Sequence, residues 1–149
     1  MSKTPYTGNA VAQIAFVVKD IDEARHRWAA QLGCEAPQPI QTAPGLENGQ
    51  VYRGQPNNAA CKLAFFDAPN IQIELIEPDG QPSAWQEVLD KNGEGLHHVA
   101  WWVENVDEAV AAIPGGEVVM RARMGGGGEF CYVETPNGMV ELLCKEDPA

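Results

Sequence analysis

Over residues 11–18 the side chains alternate with a period of two: Gln13, Ala15 and Val17 share one face, and Ile14, Phe16 and Val18 the other. The β-branched and aromatic content predicts a strand, and its greasier second face predicts a helix packed against it. The period then changes. Asp20 with Glu23 makes a capping box, Ile21, Ala24, Trp28 and Leu32 recur at helical spacing, and Gly33 closes the helix. Residues 35–50, rich in Pro, Gln, Gly and Asn, predict a long loop. Strands are expected over 51–53, 60–66 and 71–77, separated by Gly, Pro and Asn turns. Ser83 with Gln86 opens a short helix that ends near Gly93. A strand over 96–103, a helix capped by Asn105 with Glu108 and stopped at Pro114, and strands near 118–123, 129–134 and 139–144 complete the pattern.

The pattern is a repeat. Sliding residues 95–109 back until His98 falls on Gln13 makes Ala15/Ala100, Val18/Val103, Asp22/Asp107, Glu23/Glu108 and Ala24/Ala109 identical. Residues 137–143 likewise lie over 70–76, placing Glu141 on Glu74. The offset is 85 for the first pair (98 − 13) and 67 for the second (141 − 74), so the first copy carries about 18 extra residues. The chain therefore divides into a lead-in (1–10), a first βαβββ module (11–79), a linker helix (80–94) and a second βαβββ module (95–145).

Composition narrows the functions. A formal net charge of −11, with ten scattered Lys and Arg, argues against a nucleic-acid partner, which is held through clustered bases. No apolar run approaches the roughly 20 residues that span a bilayer, and the first residues lack an apolar signal core, so a cytoplasmic protein without a membrane partner is expected. Cys34, Cys61, Cys131 and Cys144 show no C-x-x-C spacing and are expected to be reduced. Gly125–Gly128 invites a phosphate-loop reading, which fails because no helix with a following Lys-Ser/Thr is present.

The repeat also superposes chemistry. Gln13 and His98 begin the first strands of the two copies, and Glu74 and Glu141 sit inside the last strands, flanked by Ile, Leu and Val. A carboxylate amid an apolar strand is costly unless paired, bound to a cation or turned to solvent. Two at equivalent positions, beside His98, favour a shared site over solvated faces. Strand register selects His98 for that site and leaves His97 a hydrogen-bonded structural role.

The repeat, the Gly95-Leu-His-His-Val-Ala100 segment, Glu77-Pro78 and the ending Glu134-Thr-Pro-Asn-Gly-Met-Val-Glu-Leu142 resemble the vicinal-oxygen-chelate superfamily over residues 11–144. That group includes glyoxalase I, methylmalonyl-CoA epimerase, extradiol dioxygenases and bleomycin-resistance proteins, and the resemblance is nearest to the epimerase. It implies an α+β fold in which two tandem βαβββ modules form a cup-shaped, mostly antiparallel eight-stranded sheet with helices outside. It also implies one divalent metal ion (Zn, Mn, Co, Ni or Mg) ligated by Gln13, Glu74, His98 and Glu141. The sequence departs from the pattern at Gln13, where most members have His.

The resemblance implies a metal-dependent isomerase, epimerase or lyase that moves a proton on the carbon beside a carbonyl. The substrate would be a small molecule with adjacent oxygens, the metal would stabilise the enolate, and Glu141 would serve as ligand and acid/base. Glu47 in the long loop is a second acid/base candidate. Ala100 and Trp102 share the face of His98, and Val17 that of Gln13, so these three are expected to line the substrate pocket; core or interface packing remains open for Trp102. A homodimer is expected from the group. Two other readings stay open: a non-catalytic binding protein, favoured by Gln13, and an extradiol dioxygenase, which needs two His where one is well placed.

Overall fold

In a computed structural model that describes residues 10–147, the chain runs β1 (Gln13–Val17), α1 (Ile21–Leu32), β2 (Ile40–Gln41), a 3-10 turn (Gly45–Asn48), β3 (Val51–Tyr52), β4 (Gln55–Pro56), β5 (Cys61–Asp67) and β6 (Gln72–Pro78). It continues through α2 (Ala84–Asn92), β7 (Gly95–Trp102), α3 (Val106–Ala111), β8 (Glu117–Arg123), β9 (Glu129–Thr135) and β10 (Gly138–Cys144). Residues 1–9 of the expected lead-in lie outside the described residues. No described helix is long and apolar enough to cross a membrane.

Local chemistry sets the helix ends. Asp20 Oδ1 accepts from the backbone N–H groups of Asp22 and Glu23, Ser83 Oγ from Gln86, and Asn105 Oδ1 from Glu108. Gly33, at φ 71°, takes the left-handed conformation that ends α1 and returns its N–H to Ala29. The third helix stops at Ala111, three residues before the expected Pro114, because Ala112 already donates to Glu108 and Ala109 in a tightened last turn.

The strands form one open sheet in the order β2-β5-β6-β1-β7-β10-β9-β8-β3-β4, parallel only at β1/β6 and β7/β10. The first eight strands of that order are the cup, four from each copy, and its centre is the antiparallel β1/β7 seam. Ile21, Ala24 and Trp28 of α1 cover Phe16, Val18, Phe66 and Leu75 on the outer face, and Val106 and Ala109 of α3 cover Cys131, Val133 and Leu142. A third cluster, including Ala15, Val17, Cys61, Trp85, Met120 and Tyr132, fills the inner face.

The extra length of the first copy has a structural use. The strand expected at 51–53 is present as β3, but it pairs with β8 of the second copy, with Val51 opposite Arg121 and Tyr52 opposite Met120. Hydrophobic alternation specifies a strand and not its partner. The short β2, inside the expected loop, takes the place beside β5. Arg53 and Gly54 form the tight turn of the β3/β4 hairpin, at φ 48° and 81°. Tyr52 and Arg53 then clamp Glu87 of α2, with Arg53 Nη2 2.5 Å from Glu87 Oε1, which pins the hairpin across the inner face.

Candidate functional site

The central seam brings four polar side chains together. Ala15 of β1 stands opposite Glu74 of β6 on one side and His98 of β7 on the other. Ala100 of β7 stands opposite Gln13 of β1 and Glu141 of β10. Two rows result, Glu74–Ala15–His98 and Gln13–Ala100–Glu141, each with a methyl group at its middle. The alanines are wholly buried, and their small size leaves room above them for the long donors to converge. Enlarging that floor tests the reading. Ala100→Val is expected to lower stability by about 1–3 kcal/mol through overpacking, checked by denaturant unfolding.

All four polar side chains are buried. His98 Nε2 lies 3.0 Å from Gln13 Oε1, 3.2 Å from Glu141 Oε1 and 3.6 Å from Glu74 Oε1. The surrounding bonds assign the lone pairs. Gln13 Nε2 donates to Gln72 Oε1 at 2.8 Å, and Gln72 Nε2 donates to Asp67 Oδ1 at 2.9 Å, so the Gln13 amide turns its oxygen inward. His97 Nε2 lies 3.0 Å from the Ala84 carbonyl and must carry the hydrogen; burial, then the neighbouring His98, pushes its pKa down to about 3, so its Nδ1 is bare. His98 Nδ1, 2.7 Å from that nitrogen, is therefore the donor. His98 Nε2 then faces three acceptor oxygens.

A ring nitrogen and three acceptor oxygens converging out of water are stable only around a cation, either a proton on the ring or a metal ion. The Glu74 carboxyl registers the same deficit. Its Oε1 is buried without a hydrogen-bond partner, and burial followed by the nearby Glu141 raises its pKa well above the usual carboxylate range. Among the described residues no three His, Cys, Asp or Glu side chains form a ready-made cage; the third oxygen here belongs to an amide, and the imidazole nitrogen stands among the oxygens. The donor set of two carboxylates, an amide oxygen and an imidazole nevertheless fits a hard or borderline divalent ion.

A cavity of about 520 Å³ opens over Glu74 and Glu141. Its walls include Cys61, Phe65, Trp85, Phe130 and Tyr132, and its rim carries Arg123 and Gly125. Among the residues expected to line the pocket, Val17 and Ala100 form buried floor with no exposed surface. Trp102 lies at the far end of β7, where Lys145 Nζ sits 5.2 Å over its ring in a separate cleft with Val103, Glu104 and Cys144. The indole on the cup wall is that of Trp85 from α2, whose Nε1 donates to the Tyr132 hydroxyl at 2.9 Å. Glu47 is exposed on the 3-10 turn and does not line the cavity. Sequence reasoning missed Gln72, Trp85 and Tyr132.

The family model of the glyoxalase/bleomycin resistance protein/dioxygenase superfamily matches residues 12–132. The uncharacterized protein YqjC of Bacillus subtilis is 33% identical over 89 residues, which cover 56% of this chain and 64% of that one. The mitochondrial methylmalonyl-CoA epimerase of Bos taurus is 31% identical over 98 residues, 65% of this chain and 48% of that one. The chain thus matches between about half and two thirds of the length of these relatives. A methylmalonyl-CoA epimerase from Mycobacterium tuberculosis superposes with a TM-score of 0.66 at 19% identity, over 100% of this chain and 93% of that one.

Proposed function

The chain belongs to the glyoxalase/bleomycin resistance protein/dioxygenase superfamily, and from that membership we propose that it is an isomerase of the epimerase type that moves a proton on the carbon beside a carbonyl. The observation that carries the reading is the convergence of His98 Nε2 with the side-chain oxygens of Gln13, Glu74 and Glu141, with one Glu74 oxygen left without a hydrogen-bond partner. Gln13, Glu74, His98 and Glu141 would hold a divalent ion, which when bound polarises the carbonyl and draws off charge developing on its oxygen.

Glu141 lines the cavity floor and is the base: its carboxylate takes the proton, the C–H electron pair moves toward the carbonyl oxygen, and return of the proton completes the exchange. The apolar walls exclude water from the planar intermediate. Arg123 stands at the rim without an acid or hydrogen-bond partner among the described residues, whereas Arg25, Arg27, Arg53 and Arg121 are each paired to an acid. A free cation there supports an anionic substrate, and with the epimerase relative it makes an acidic acyl-CoA thioester the first class to test. A dioxygenase reading loses ground because the four donors include one imidazole where two are needed.

The test is metal content of dialysed protein alongside hydrogen–deuterium exchange at the α-carbon of methylmalonyl-CoA, in wild type, Gln13→His and Glu141→Ala. Near one equivalent of divalent metal with exchange in the wild type, both lost in Glu141→Ala, is the expected result. The Gln13 amide in place of a His favours a second reading, a metal-free binding protein. No metal after soaking with Mn, Co, Ni or Zn, and no exchange, would establish that reading instead.

A further inference from the structure

Tyr132 is a cavity-wall residue whose hydrogen bonding is half complete. A phenol has one hydrogen to give and lone pairs to receive, whereas an indole N–H only gives. The 2.9 Å bond from Trp85 Nε1 therefore occupies a lone pair of the Tyr132 hydroxyl and leaves its hydrogen unused. No described side chain or carbonyl accepts that hydrogen, and Tyr132 is 3% exposed. Leaving a buried donor without an acceptor is costly, so the arrangement makes sense when something else supplies the acceptor.

Packing does not require the hydroxyl. The repeat offset of 67 superposes Tyr132 on Phe65. The sheet agrees, since Phe65 is registered opposite Glu74 and Tyr132 opposite Glu141, and both rings line the cavity. The two halves thus present the same ring on the same wall, and only the second adds an oxygen. That ring is held on several sides: its centroid lies 5.0 Å from that of His98, 5.1 Å from His97 and 5.3 Å from Phe130, with Trp85 edge-on at 6.3 Å.

We propose that Tyr132 donates its free hydrogen to the substrate oxygen on which negative charge develops, and that Trp85 is the residue that positions the hydroxyl for it. The inference rests on the proton-transfer reading of the site. Glu141 takes the proton from carbon, the C–H pair moves onto the carbonyl oxygen, and the phenol hydrogen bond tightens on that oxygen without changing hands.

Tyr132→Phe removes one oxygen and keeps the ring, but it also takes the acceptor from the Trp85 N–H, so thermal unfolding of the variant serves as the control that it is folded at the assay temperature. In α-proton exchange with methylmalonyl-CoA the variant is expected to lose about 100-fold or more in kcat with little change in KM. Trp85→Phe, which keeps the phenol but frees it to rotate, is expected to lose kcat to a smaller extent. A second arm reads equilibrium binding of oxalate, a planar dianion with adjacent oxygens, to the Mn-loaded protein by calorimetry; Tyr132→Phe should bind it about tenfold more weakly. Wild-type exchange with Tyr132→Phe matching it in kcat and oxalate affinity overturns the inference and leaves the proposed function standing. Wild type that exchanges nothing overturns the proposed function, and the oxalate arm alone then decides on Tyr132. Equal oxalate affinities, or no oxalate binding by wild type, overturn the inference in that case.

Discussion

Glu141→Gln is expected to slow α-proton exchange by about a thousandfold, within the range that a positioned acid/base contributes, while the metal-free variant unfolds no more easily than wild type. The substitution keeps the shape of the side chain and its place opposite Ala100 and Tyr132 in the sheet. It removes the carboxylate proposed to receive the proton, whose Oε1 lies 3.2 Å from His98 Nε2. In the metal-free protein its charge is a burden, since Glu141 is one of the two causes that raise the Glu74 pKa. Loss of turnover without loss of stability marks a group kept for chemistry and not for folding. Exchange rates followed by NMR, with thermal unfolding of the same samples, check it; an unchanged rate would remove Glu141 from the reaction.

The duplication made the centre of this site legible. Once His98 falls on Gln13 and Glu141 on Glu74, the period-two alternation of strands places all four on one face, and the β1/β7 seam brings them together. What the repeat could not carry was anything that breaks it. The β3/β4 hairpin belongs to the unmatched length of the first copy and crosses to the second, so its pairing had no counterpart to be read from. Trp102 was assigned by alternation alone, which gives the face but not how far along the strand the cavity reaches. Trp85 enters from a linker helix that the repeat does not include. Tyr132 did leave a signal: it is the one place on the cavity wall where the repeat substitutes Phe by Tyr, a hydroxyl added to a position that packing had already filled.

Glu74→Gln is expected to stabilise the metal-free protein, and by an amount that grows with pH. Glu74 has its pKa raised in the fold, first by burial and then by Glu141. In the unfolded chain it ionises near the usual glutamate value of about 4.3. Below that value both states hold the proton, and wild type and variant differ little. As pH rises, the unfolded chain releases the proton freely while the fold resists, so wild-type stability falls until the folded pKa is reached. An amide does not titrate and escapes the penalty. The gain is expected to be on the order of 1–3 kcal/mol at pH 8, as for relief of an unpaired buried acid. Binding of the proposed divalent ion is expected to reverse the order, because an ion that binds only the folded state adds stability as the logarithm of one plus its concentration over Kd. It will add more to wild type, whose Glu74 brings a full negative charge, than to the amide variant. Urea unfolding at pH 4 and pH 8, with and without Mn, reads both effects. Equal stabilities at the two pH values without metal would show that Glu74 already has a partner in solution, and the case for a cation at this site would then rest on His98 alone.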